Sequence, residues 1–325
     1  GKIMKASQLT LAILLTAAFG SAYAVEVQGD SSNTKAIKVG SSSLIPFGAG
    51  RAGIAISNAA DGNYSFSVNL ENGPARRIRD KYGRTPINGG NQNVNVNGAA
   101  NPRYLTPSDV NPVLGWFSSE KLGQVWYEKR ANNTEVFSVR QMAELSEAGL
   151  LKKAPKFGGM TFAKVPTAAT NVFFGEWAPR KGNSNQIANS TDLNMNDGNR
   201  TVWFVGENPT KNTRNLAAAT YNVVGINKHT PGKNDFYTGE IKATFGTSNK
   251  GSMSGALKRA GDRDLNFNGV EIINSKGTFN SIKGRNNEGI TGQFYGNGAA
   301  AMAGYATRGT DNNKGDDVAF GGAKK

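Results

Sequence analysis

Past the first two dozen residues, apolar positions fall into short runs cut by Gly, Asn, Pro and Ser. Within Thr238–Phe245, Ile241, Ala243 and Phe245 alternate with Glu240, Lys242 and Thr244, the period-two pattern of a half-buried strand. Similar segments recur at Tyr221–Ile226, Tyr237–Phe245, Gly251–Leu257, Leu265–Ile273, Gly277–Ile282, Gly289–Tyr295, Ala303–Thr307 and Val318–Gly321, with turn signals such as Pro231-Gly232 and Asn286-Asn287 between them. Eight short antiparallel strands leave no open edge when they close as an up-and-down barrel. The pattern predicts an all-β chain with a C-terminal eight-stranded antiparallel barrel over residues 215–325.

Residues 25–214 are less regular and predict a mixed, mainly β handle or clamp domain. Strands are expected at Ser65–Asn69, Asn171–Trp177 and Thr201–Gly206, and a hairpin at Val125–Arg130 and Glu135–Val139, turning on Ala131-Asn132-Asn133. Ser138 and Gln141 have capping-box spacing and predict one short helix over Met142–Leu151. Gly89–Asn101 and Gly182–Arg200 read as polar loops.

Composition narrows the chemistry. Gly accounts for 41 of 325 residues, aromatics for 9%, Cys for none and His for one, His229. Thiolate metal sites, disulfides and Cys nucleophiles are excluded, as are clusters of His ligands. The formal charge is +14. At the N-terminus Lys2 and Lys5 precede an apolar run, Leu9–Phe19, and an Ala22-Tyr23-Ala24 cleavage pattern, so residues 1–24 predict a signal peptide and a secreted, unanchored product. That run falls short of the ~20 apolar residues a membrane-spanning helix needs. Nucleic-acid binding fits the charge, but the export signal and the lack of a helix with clustered basic residues argue against it.

The barrel segments also carry a family resemblance. Tyr221–Gly239 (YNVVGINKHTPGKNDFYTG), the following TGEIKATFG, the GxFYGxGA pattern at Gly292–Ala299, Met302–Tyr305 and Ala319–Gly322, in that order, resemble the C-terminal barrel of hemophilins. Hemophilins are related to transferrin-binding protein B-like surface proteins exported by surface lipoprotein assembly modulators. NVFFGEWAPR and TVWFVGENPT in the preceding half are similar to that family too, and the resemblance runs from about Val125 to the end. It implies a barrel recognised by an outer-membrane translocator and an N-terminal domain that captures a ligand. In hemophilins the ligand is heme, passed to a TonB-dependent receptor.

Heme iron needs an axial His, Tyr, Met or Cys. The family places its histidines in the N-terminal domain, whereas His229 lies between the first two barrel strands, where it reads as an exposed turn residue with iron ligation as the alternative. Tyr82, Tyr104 and Tyr127 are the alternative ligands. Trp116 and Trp126, with Phe117, Phe173, Phe174, Trp177, Trp203 and Phe204, either line a macrocycle pocket or form the handle's core. Arg76, Arg77 and Arg79, with Lys81 and Arg84, read as a Gly/Pro-flanked loop that clamps propionates, steers toward anionic surfaces or is simply solvated. The calcium-like string Asp264–Gly269 has Ser275 where an EF-hand needs Glu. Enzyme chemistry finds no motif; scattered carboxylates leave only polysaccharide hydrolysis as a distant third reading. The expected function is a secreted hemophore of hemophilin type, with a non-heme host-interaction or colonisation factor of the same export class as the alternative.

Overall fold

The computed structural model describes residues 25–43, 48–56, 67–81, 103–110, 116, 119, 123–130, 132–141, 158–181 and 193–325. The expected signal peptide, Tyr82, Arg84, the stretch 89–101, Phe117 and the helix expected over 142–151 lie outside them.

Three β layers stack. The first is a small sheet of β2 (Ile37–Ser41), β3 (Ala52–Ile56) and β4 (Val68–Asn69), followed by helix α1 (Pro74–Lys81). The second is a seven-stranded antiparallel sheet. Its members are β1 (Val27–Ser31), β5 (Arg103–Leu105), β6 (Gly123–Lys129), β7 (Glu135–Gln141), β8 (Gly159–Lys164), β9 (Val172–Ala178) and β10 (Thr201–Glu207), in the order β1-β10-β9-β8-β7-β6-β5. A one-turn helix, α2 (Pro107–Val110), follows β5. The hairpin expected at Asn132-Asn133 joins β6 to β7, with Asn133 at φ 66°.

The third layer is the barrel. Its ring runs through β11 (Ala219–Ile226), β12 (Tyr237–Thr244), β13 (Lys250–Leu257), β15 (Glu271–Ile273), β16 (Thr278–Asn280), β17 (Ile290–Tyr295), β18 (Ala301–Ala306) and β19 (Val318–Lys324), and β12 pairs with β13 to close it. The segment expected as one strand over Leu265–Ile273 is split into β14 (Leu265–Asn266) and β15. Asn266 Oδ1 accepts the Asn268 N–H at 2.8 Å, and Gly269 takes φ 83°, a local turn that breaks the run.

Each layer interface has its own apolar filling. The barrel interior holds Tyr221, Ile241, Phe245, Met253, Phe267, Phe279, Phe294, Met302 and Phe320 in one continuous cluster. It is a packed core, as in small barrels whose side chains fill the bore. On the seven-stranded sheet, Phe137, Phe162, Phe173, Trp203 and Val205 pack with the small sheet's Ile37 and Ile54 and with Leu70 just after β4. The alternate residues, Val136, Ala163, Phe174, Val202 and Phe204, face the barrel's outer wall at Val224, Ile226, Ala303, Tyr305 and Ala319. Every residue of β9 and β10 is therefore buried, Glu176 and Glu207 included, and the runs VFF and VWFV show no polar alternation. Glycine permits the contact: a Cβ on Gly321 would lie 2.4 Å from Phe174 Cδ1, and one on Gly206 would lie 2.6 Å from the Tyr295 ring.

Two local expectations are corrected. The arginine run is a helix, not a loop: Pro74 supplies a pre-set φ where the backbone N–H has no intrahelical partner, and the cationic residues that follow suit the C-terminal half. The capping box at Ser138 does not form. Ser138 Oγ bonds Thr161 Oγ1 across to β8 at 2.9 Å, and Gln141 Oε1 accepts the Gly158 N–H at 2.7 Å, so both side chains serve the sheet.

Candidate functional site

Among the described residues, those expected to bind a ligand do not gather into one site. Trp116 stands in solvent at 81% exposure. Trp126 and Tyr127 are buried on opposite faces of β6, Tyr127 in the core beneath the small sheet. Tyr104 is half-buried on β5 opposite Gln124. Of the helical arginines, Arg76 reaches Asp80 at 3.5 Å and Asn72 at 3.3 Å, Arg77 is half-buried, and Arg79 is buried.

Tyr127 and Arg79 do meet, at a carboxylate. Arg79 Nη1 donates to Glu135 Oε2 at 2.9 Å, and the Tyr127 hydroxyl donates to the same oxygen at 2.7 Å. Burial pushes the Glu135 carboxyl up, but the hydroxyl and the guanidinium more than offset it, so its pKa lies below the ordinary carboxylate value. The triad fastens α1 to the β6–β7 hairpin. Phe173, Phe174, Trp177, Trp203 and Phe204 are all core residues.

His229 overturns the turn-residue reading most sharply. It has no exposed surface. Its ring stacks on Phe236 with centroids 4.4 Å apart. Nε2 meets Glu128 Oε2 on β6 at 3.1 Å, and Nδ1 meets Asp235 Oδ1 in its own connection between β11 and β12. A neutral imidazole has one N–H and one lone pair, and the lone pair would then face a carboxylate oxygen. Only the imidazolium donates to both. Burial alone lowers the ring's pKa, but the hydrogen bonds and charges of Asp235 and Glu128 outweigh it, and the net shift is upward. The ring has no nitrogen left for iron.

Around His229 lies a wider polar cluster that joins the barrel to the seven-stranded sheet. Glu176 of β9 accepts the backbone N–H of His229 on Oε1 and that of Lys228 on Oε2, each at 2.8 Å. Its charge is met by Arg200, whose guanidinium donates to Oε2 and sends Nη1 to the carbonyls of Lys314 and Asp317 at 2.6 and 3.0 Å. Arg140 of β7 donates to the His229 carbonyl at 3.3 Å. Asn227 Nδ2 donates to the Gly315 and Asp317 carbonyls, and Arg259 bonds the carbonyls of Asn227 and Asp235 while stacking over Tyr237 at 4.3 Å. Two barrel connections, 227–236 and 307–317, are thus pinned at one point. Asp317 is pushed up by burial, with the Gly309 N–H and the charge of Arg200 opposing it. Sequence reasoning missed Glu128, Glu176, Arg200 and Asp235; the local spacing of His229 and Asp235 was the one available signal.

Among the described residues, no group of three or more His, Asp or Glu is placed to hold a metal ion. A shallow, open depression lies between Glu26 and Pro209–Lys211 on one side and Gly296–Gly298 on the other, with Lys211 paired to Glu26 at 2.6 Å.

No family model matches the chain. Among solved structures, it is similar to the N-lobe domain of lactoferrin binding protein B of Moraxella bovis. The match has 11% identity and a TM-score of 0.24, and covers 69% of this chain and 97% of that one. Superposition that loose bears on neither fold nor function, which rest on the residues above.

Proposed function

We propose that this chain is an exported binding protein of hemophilin type that engages an acidic host or cell surface, with the barrel as its rigid carrier. The observation that carries this reading is the commitment of the only histidine: both ring nitrogens of His229 are held by carboxylates inside the junction. The Tyr127 hydroxyl is likewise given to Glu135, and the barrel bore is filled by its own side chains, so these groups offer a macrocycle neither an axial ligand nor a cavity. The chain's surplus of 38 basic over 24 acidic residues favours an anionic partner, whose approach it would steer over a range set by salt. With His229 and Tyr127 both spent, we rank surface engagement above heme capture.

Two measurements test it together. Titration of the purified protein with hemin is expected to give no saturable shift of the Soret band. Binding to vesicles or beads coated with acidic glycan is expected to weaken steeply between low and physiological salt. A stoichiometric Soret shift would restore the hemophore reading, and salt-insensitive or absent binding to acidic surfaces would remove this one.

A further inference from the structure

We propose that the His229 cluster is a proton-operated seam between the barrel and the seven-stranded sheet: the protonated ring closes it, and loss of the proton weakens the hold of β6 on the β11–β12 connection. The inference does not depend on what the protein binds. It starts from the arrangement of charge around the ring. Along the line Asp235–imidazole–Glu128, one cation sits between two anions, and the two anions belong to different layers. Asp235 is carried by the barrel and Glu128 by the sheet, so the ring's two N–H groups bridge the layers directly.

Other charges near the ring do not replace that bridge. Glu176, below the connection, takes backbone N–H groups and is matched by Arg200. Arg140 approaches the His229 carbonyl, and Arg259 holds the Asp235 carbonyl, neither touching the ring. Arg130, just after β6, lies 3.8 Å from Glu128 Oε1, stacks over Phe236 at 4.7 Å and donates to Asn234 Oδ1, so it ties the sheet to the connection beside the ring without touching Asp235. Once the ring is neutral, one of its nitrogens presents a lone pair to a carboxylate oxygen. That contact is repulsive in a site whose ring is wholly shielded from water. With the ring neutral, the link between Asp235 and Glu128 is broken, and the connection is left to Glu176, Arg140 and Arg130.

The sign follows from linkage. A histidine that holds its proton more tightly in the folded protein contributes fully below its ordinary value of 6.5 and loses that contribution as pH rises through the folded value. The seam is therefore closed below 6.5 and loosens as pH rises toward the ring's raised folded value.

The single histidine makes the test direct. In the full chain, the imidazole signals seen by NMR belong to His229 alone. They are expected to titrate above 6.5 and to show both nitrogens protonated below that midpoint. Hydrogen-exchange protection at the Lys228 and His229 amides is expected to fall about tenfold per pH unit between roughly 6.5 and that midpoint, then level off. In His229→Gln, protection should be flat over the same range after correction for intrinsic exchange. Should that variant fail to fold, Glu128→Gln removes the sheet's half of the bridge and is expected to lower the titration midpoint. A midpoint at or below 6.5, protection loss of equal size in His229→Gln, or an unmoved midpoint in Glu128→Gln would each overturn the proposal.

Discussion

Arg200 and Glu176 form an ion pair with essentially no exposed surface. A buried pair is not by itself a source of stability, because desolvating two charges cancels much of their attraction. Here both partners have further bonds, Glu176 to two backbone N–H groups and Arg200 to two carbonyls, so the pair organises barrel loops that have no regular structure of their own. Arg200→Met strands the carboxylate and is expected to cost about 3–5 kcal/mol in urea unfolding. Tyr305→Phe removes a hydroxyl bond of 2.7 Å to Asp30 Oδ2 and should cost only about 1 kcal/mol by the same measurement. None of this was legible in the chain. His229 and Glu128 are 101 positions apart, and Arg200 lies 117 positions from Asp317, so no local pattern joins them. A lone histidine beside Pro231-Gly232 looks like a turn because the burial comes from another layer.

Strands were legible wherever one face alone is buried. In β12 the sequence alternation and the observed burial coincide, and this sets up a paired experiment: Ile241→Ala should lower stability by roughly 2–5 kcal/mol and Lys242→Ala by less than about 0.5, read from thermal midpoints. The helix α1 was misread because five of its eight residues are charged and only Ala75 and Ile78 are apolar beyond Pro74; Pro74 at the first position was the overlooked signal. The Ser138 misreading shows a local propensity losing to the alternation of Glu135–Gln141, which places Val136, Ser138 and Arg140 on one face of a strand. At β19, Gly321 lies against Phe174 of the seven-stranded sheet with no room for a side chain. Gly321→Val should push β19 off Phe174 and cost about 1–3 kcal/mol or more, seen as a lower urea midpoint.

At the scale of the whole molecule, the barrel owns its core: every buried member of the interior cluster comes from residue 219 or later. Its closure was foreseeable from eight regular segments; its docking was not, because the stripe Val224, Ile226, Ala303, Tyr305 and Ala319 lies on strands whose other face already satisfied the pattern. A chain carrying only residues 215–325 is expected to unfold in one cooperative transition and to bind a hydrophobic dye such as ANS more strongly than the full protein, since that stripe is uncovered. Dye binding equal to that of the full protein would mean the stripe had collapsed or the barrel had rearranged.

A cylinder stuffed with its own side chains also constrains how such a molecule diversifies over generations. Under the proposed surface-binding role, mutations ahead of residue 215 would change the binding face without disturbing the bore, provided they keep the narrow apolar stripe and the polar clasp beside it. Novel specificities would then accumulate at the front of the chain while the carrier behind it changes slowly.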